Sequence, residues 1–366
     1  MSSASESPDT KTPAYALYRL PHADRYVRLE GQTRELSTYT QLNGAAGFVV
    51  APFELTAAQP LVVIRPDKVE TIAVPETPRL YGDSGQTGVS ADSGISSVTG
   101  DTGPSAAYSI DFANFYAQLM QGTFRKIVLA RSADEPLPPS LSPEMLFFRA
   151  CQLYPRLFVA LVYTPQSGLW LTATPEILLE GVAEEWRTIA LAGTMRLEGD
   201  QLRGEGESAV WSTKNIEEQR IVATYVAECL EQFSTSFSEE GPRTVRAANL
   251  VHLRSDFTFT LPDNRHLGDL IARLHPTPAV CGLPKREAFQ FIVRNEYRPR
   301  RYYSGFMGWL DPAGDTHLFV SLRCMNIGGD GCHLYAGGGL LRDSVMEQEW
   351  QETEAKLETM RRLLTA

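Results

Sequence analysis

No stretch of this sequence approaches the ~20 consecutive apolar residues needed to cross a bilayer. Its opening, MSSASESPDTKTPAYALYRLP, has no basic segment followed by an apolar one, so neither a membrane protein nor an exported one is expected, and the cytoplasm is the expected place. Positive charge is scarce too: 34 Lys and Arg stand against 44 Asp and Glu, a formal net charge of −10. A nucleic-acid surface needs a concentrated basic excess, so no nucleic-acid partner is expected. Cysteine is sparse: Cys151, Cys229, Cys281, Cys324 and Cys332 are odd in number and show no CxxC spacing, which suits free thiols in a reducing compartment. Neither GxGxxG between a strand and a helix nor GxxxxGK[ST] occurs, which argues against an ATP or NAD site. No internal repeat is apparent.

What the chain does have is material for a large core: 43% hydrophobic and 10% aromatic residues in 366 positions. The first ~12 residues are Ser-, Asp- and Pro-rich and are expected to fray. Tyr15 to about Val74 reads as strands, including the runs Ala46–Val50 and Leu61–Ile64. Gly82–Gly103 is dense in turn formers and reads as a surface loop within one domain. Beyond it, Tyr108–Gln121 reads as a helix and Phe124–Arg131 as a strand, and strands with intervening helices continue to the end. The expectation is one α+β domain over residues 13–366.

In STKNIEEQRIVATYVAECLEQF, Ile221, Val222, Tyr225, Val226, Cys229, Leu230 and Phe233 recur at helical spacing, and Glu218 projects near the middle of their stripe. A carboxylate aimed at a core needs a partner: an arginine in the plain case, a metal or a catalytic role in the sharper one. In MEQEWQETEAKLETMRRLL, Glu349, Glu352 and Lys356 run in file along the edge of an apolar stripe. A solvated charged face is the plain alternative; two acidic helices that converge would make the all-oxygen site Mg²⁺ prefers.

Two strand residues could carry proton transfer. Lys126 in FRKIVLAR shares the face of Phe124, Val128 and Ala130, so its ammonium either snorkels outward or stays partly desolvated and fit for base chemistry. Glu176 in LTATPEILLE follows Pro175 and shares its face with Leu178, which allows a raised pKa and an acid role. The turns LAGT (191–194) and AGGGL (336–340) let backbone N–H groups approach an anion. Arg323 in VSLRCMNI offers a planar donor for a carboxylate or a structural ion pair.

In order along the chain, RKIVLAR, ATPEILLE, LAGT, STKNIEEQRIV, LHPTPAVCG, SGFMGW, SLRC, YAGGGL and EWQETEAKLETM resemble the chorismate-utilising enzymes, a family that includes isochorismate, salicylate, anthranilate and aminodeoxychorismate synthases. The resemblance covers about Phe112 to the C-terminus. It implies two layered antiparallel β-sheets flanked by helices, with the site between them, and a monomer as the common state. It also implies Glu218 and Glu352 as Mg²⁺ ligands, with Glu349 assisting through water. Arg323, the turn at Gly337, and Lys356 would grip the substrate carboxylates, Gly193 and Thr194 would contact substrate, and His275 would lie near the ring. Lys126 corresponds to the base that activates water for attack at ring C2, and Glu176 to the acid that protonates the departing C4 hydroxyl. Ala192 stands where aminodeoxychorismate synthases place a nucleophilic lysine. Water as nucleophile and isochorismate as product follow; menaquinone and siderophore synthesis both use isochorismate, with menaquinone the expected use. A salicylate synthase, which goes on to eliminate pyruvate, is the nearest alternative, and an inactive binding relative is the alternative of another class. One departure stands out: Asn215 and Gln219 occupy the Asp and His positions of the family's KDxxEH segment. By helical angle Gln219 lies about 70° from the stripe centre, which puts it behind the ligands.

Overall fold

The computed structural model describes residues 13–75, 103–196, 209–247, 250–329 and 331–365. The segment 1–12 expected to fray and, save for Gly103, the 82–103 stretch expected to loop lie outside them. In chain order the elements are β1 (Ala14–Arg19), β2 (Arg25–Leu36), a 3-10 turn (Tyr39–Leu42), β3 (Gly47–Ala51), β4 (Leu61–Ala73), α1 (Ala106–Met120), β5 (Lys126–Glu135), α2 (Pro143–Leu153), β6 (Phe158–Thr164), β7 (Gly168–Thr174), β8 (Ile177–Val182) and β9 (Glu185–Arg196). They continue with α3 (Thr213–Phe233), β10 (Ser236–Ala247), β11 (Leu250–Thr260), α4 (Leu267–Leu274), β12 (Gly282–Leu283), α5 (Lys285–Asn295), β13 (Phe306–Leu310), β14 (Thr316–Val320), β15 (Cys324–Gly328), β16 (Gly331–Leu340) and α6 (Met346–Leu364).

The unbroken apolar runs become strands covered on both faces. Phe48, Val49 and Val50 of β3 are all fully buried, but they alternate in destination. Val49 packs beneath α3 and α4 with Leu61 and Val63 of β4, whereas Phe48 and Val50 meet Val62 and Ile64 in a core made of strand residues and the loop tyrosines Tyr302 and Tyr303. The same period of two sends Val159 and Leu161 of β6 under α2 and α6, and Phe158, Ala160 and Val162 into the strand core. Each of these Val, Leu, Ile and Phe side chains contributes roughly 1.5–3 kcal/mol of apolar burial.

Hydrogen bonding joins the sixteen strands into one sheet, in the order β10-β11-β9-β8-β14-β13-β3-β4-β2-β1-β6-β7-β15-β16-β5-β12. The two expected layers are its two halves, folded face to face. Phe158 of β6 stacks on Phe319 of β14 at 4.2 Å between ring centroids, and Tyr18 of β1 meets Phe48 of β3 at 5.3 Å. Helices cover the outer faces.

The first three α-helices start where the sequence supplies serine caps. Ser105, Ser142 and Ser212 each accept the backbone N–H three residues on, at the starts of α1, α2 and α3. α6 has no side-chain cap, but Glu347 and Glu349 lie in its first turn and Arg361 and Arg362 in its last, matching its dipole. Among the described residues no helix is long and apolar enough to cross a membrane.

Candidate active site

β9 and β11 pair out of step at one place: His252 faces Thr194, and Leu253 faces Ala192. Gly193 is the extra residue of this bulge and has φ +68°, which a residue with a Cβ adopts only at a cost, so LAGT owes its glycine to a bulge. A Cβ there would also press on the Asn215 backbone of α3 at 3.3 Å. The bulge therefore seats the start of α3 against β9 and turns Ala192, Gly193 and Thr194 toward a cavity.

That cavity is also lined by Glu176, Glu218, His252, Arg323, Gly337, Gly339 and Lys356. Lys126 is fully buried beside it, with Nζ 3.0 Å from Glu218 Oε1. The three glycines 337–339 of β16 give the carboxylates room. A Cβ on Gly339 would overlap Glu218 Oε1 and lie 2.9 Å from Lys126 Cε; one on Gly338 would stand 3.2 Å from Glu349 Oε2 and 3.8 Å from Glu352 Oε1; one on Gly337 would meet the Tyr303 hydroxyl at 2.7 Å.

Three carboxylates from α3 and α6 thus converge over one bare strand, each with a lysine. Glu218 faces Lys126, Glu349 pairs with Lys214, and Lys356 donates to Glu352 at 2.7 Å and to the Gly337 carbonyl at 2.8 Å. Burial pushes the Glu218 carboxyl up, but Lys126 and Lys214 outweigh it and hold the group below the usual range. Glu349 goes the other way, to about 7, through burial and the nearby Glu352. The donor set is all oxygen, as Mg²⁺ prefers, and Glu349 Oε2 is buried without a hydrogen-bond partner. The residues therefore fit a hard divalent cation, although among the described residues no three such groups stand at closed metal-binding spacing.

Glu176 sits between β7 and β8, 3% exposed, its amide donating to Thr174 Oγ1 at 3.3 Å and its carbonyl accepting from Val320. Burial raises its pKa to about 7 against the opposing pull of Lys126, Lys356 and Arg323, which leaves a carboxyl able to give up a proton near neutrality. Arg323 enters the cavity from a backbone with φ +47°, and burial lowers its pKa to about 10.

His252 is a site residue that the sequence reading missed. Its Nε2 accepts from Arg323 Nη2 at 2.5 Å, and its Nδ1 lies 2.9 Å from the Gly193 carbonyl. Arginine can only donate, so Nε2 is bare and Nδ1 carries the hydrogen given to Gly193. Burial and the adjacent Arg323 and Lys356 charges keep the ring neutral. The histidine expected near the ring, His275, is not brought to this cavity. It caps the end of α4, and its ring lies edge-on to Tyr39 and Phe306 at 5.3 and 5.0 Å. Gln219 is fully buried, donating to the Ala190 carbonyl of β9 at 3.0 Å and to Ser255 Oγ of β11 at 3.3 Å, and so it ties α3 to the sheet behind Glu218. The cavity is small as it stands, about 60 Å³, below the usual range for ligand pockets. Glu218 and Lys356 in its wall are ion-paired to Lys126 and Glu352, which do not line it.

A desolvated acid, a buried lysine and an arginine thus stand around converging carboxylates, an arrangement able to move protons and to grip an anion. Residues 88–365 match the model of the chorismate binding enzymes, and the chain belongs to that family. Isochorismate synthase DhbC of Bacillus subtilis (strain 168) is 33% identical over 259 residues, 68% of this chain and 65% of its own length. Isochorismate synthase EntC of Escherichia coli (strain K12) is 30% identical over 238 residues, 64% and 61%. The matched part thus spans under two thirds of either relative. The structure of MenF, the menaquinone-specific isochorismate synthase from Escherichia coli, is similar in fold, with a TM-score of 0.76 at 21% identity over 96% of this chain and 89% of that one.

Proposed function

We propose that this chain is a Mg²⁺-dependent isochorismate synthase, that residues 13–366 form its one catalytic unit, and that its product feeds menaquinone synthesis. The observation that carries the reading is the placement of Lys126 and Glu176 about a single cavity, a base and an acid for the two ends of one allylic exchange. The names of the DhbC and EntC relatives support the reaction.

In this reading Lys126 reacts as the neutral amine, accepting a proton at Nζ from water as the water oxygen bonds to ring C2. The double bonds shift, the C4–O bond breaks, and Glu176 protonates the departing hydroxide, so that water enters and water leaves with no redox change. Arg323, oriented by His252, and Lys356 hold the substrate carboxylates. Ala192 presents no amine at the bulge, which leaves water as the nucleophile. Glu218, Glu349 and Glu352 would hold Mg²⁺, which supplies positive charge that anchors and neutralises a ring carboxylate. Glu218 now faces Lys126 and Glu352 faces Lys356, so holding the cation would draw these carboxylates from their lysines and leave Lys356 free for substrate.

Incubation of the purified protein with chorismate, with Mg²⁺ or with EDTA, and chromatography of the products tests this. Isochorismate formed only with Mg²⁺ is the expected result. Salicylate with pyruvate would reassign the chain as a salicylate synthase, and no conversion would make it a binding relative.

A further inference from the structure

A second cavity, of about 570 Å³, lies where the turn at Tyr39–Leu42 meets the end of α4 and the start of α5. One part of its wall is aromatic: Tyr39, Phe53 and Phe289, the last two with ring centroids 5.1 Å apart. The other part is cationic: Arg273, Lys285 and Arg286, with Glu54 as the one acid. In a chain of net charge −10 this local excess of positive charge is out of character.

These cations are also poorly compensated. None of the three is ion-paired among the described residues. Lys285 Nζ is half-buried and spends its hydrogens on the carbonyls of Arg273 and His275, both at 2.7 Å, which solvates the ammonium without cancelling its charge. Burial draws its pKa down to about 8, and the adjacent Arg273 charge adds to the fall. Lys285 and Arg273, like charges side by side at an apolar wall, are relieved by an anion, and the aromatic half of the wall selects one that carries a flat ring.

We propose that this cavity is a second ligand site that takes a small aromatic carboxylate, with its ring against the half-buried Phe289 and Tyr39 and its carboxylate among Arg273, Lys285 and Arg286. Binding here is independent of the reaction assigned to the first cavity. The two sites nonetheless share a wall: Pro276 and Lys285 line this one, while Ala279 and Val280, in the same short stretch of chain, line the other.

Calorimetric titration of the full chain with benzoate, inorganic phosphate and benzyl alcohol tests the site. Benzoate should bind more tightly than phosphate, which lacks the ring, and than benzyl alcohol, which lacks the charge. Replacing both exposed arginines, Arg273→Gln with Arg286→Gln, should weaken benzoate by about tenfold or more. Lys356→Gln, in the first cavity, should leave benzoate affinity unchanged. Benzoate binding that survives the double substitution, that is no tighter than phosphate binding, or that does not occur at all overturns the assignment.

Discussion

Lys126 Nζ and Glu218 Oε1 stand 3.0 Å apart in a place where the lysine has no exposure at all. The contact joins the strand that carries the proposed base to the helix that carries a proposed cation ligand. Either partner alone would be a buried, uncompensated charge.

Lys126→Met should therefore do two separable things. Loss of the base should lower kcat by about 10²–10⁴-fold. Loss of the partner should leave Glu218 unpaired, a penalty of about 3–5 kcal/mol for a buried pair, lessened here because Lys214 also acts on Glu218. Chorismate turnover and thermal melting read the two effects; retention of most activity would remove Lys126 from the reaction.

Glu176 predicts a pH signature. Its folded pKa of about 7 lies above its ordinary value of 4.5, so the folded state binds more protons than the unfolded one between these values. The stabilisation it gives is complete below about pH 4.5 and lost as pH rises through about 7, and the acid form needed at C4 disappears over the same upper limb. Glu176→Gln should lower kcat about 10²–10⁴-fold and flatten that part of the pH–stability curve. Denaturant melts at several pH values check the slope, and an unchanged slope would show that another group causes it.

Gly339→Ala adds one methyl group where Glu218 Oε1 and Lys126 Cε already stand. Overpacking of this kind costs about 1–3 kcal/mol, and the pair must separate. Turnover should fall far more than melting temperature does, and a fully active variant would show that the pair can move without consequence.

Glu352→Ala should raise the Mg²⁺ concentration needed for half-maximal turnover, by about tenfold if one carboxylate ligand is lost. A magnesium titration decides it, since an unchanged midpoint would leave Glu352 as the partner of Lys356 and nothing more.

His252→Phe keeps the ring but removes the acceptor for Arg323 and the donor to the Gly193 carbonyl. With Arg323 misdirected, KM for chorismate should rise by about 10-fold or more, the scale of one charged contact. Initial-rate measurements check this, and a normal KM would show that Arg323 holds its place without the histidine.

Much of this geometry was legible in the sequence because it rests on period. Helical spacing alone puts Glu218 on the buried stripe of α3 and aligns Glu349, Glu352 and Lys356 along α6, and strand alternation puts Lys126 on the apolar face of β5. Relationships between distant strands leave no such trace. His252 lies in LVHLRSDFTFT, where nothing local marks it out from His275, and only its pairing opposite the Gly193 bulge gives it a role. Lys214 was equally hidden, because its partner Glu349 is 135 residues away. Helical angle sets Gln219 about 70° from the stripe centre, yet it is fully buried, since β9 and β11 wrap that flank of the helix. The joining of both layers into one ladder is likewise invisible to a pattern that reports faces and not neighbours.

The order of strands in that ladder places β9, with its bulge, third, and β5, with Lys126, fifteenth. The two walls of the cavity are nearly the two ends of the hydrogen-bonded ribbon, and they meet only because it doubles back on itself. A chain that has built most of its strands but not yet folded the ribbon over would look native to any probe of secondary structure and still have no cavity. Recovery of catalysis during refolding should lag behind recovery of circular dichroism, which makes activity the more sensitive gauge of a finished molecule.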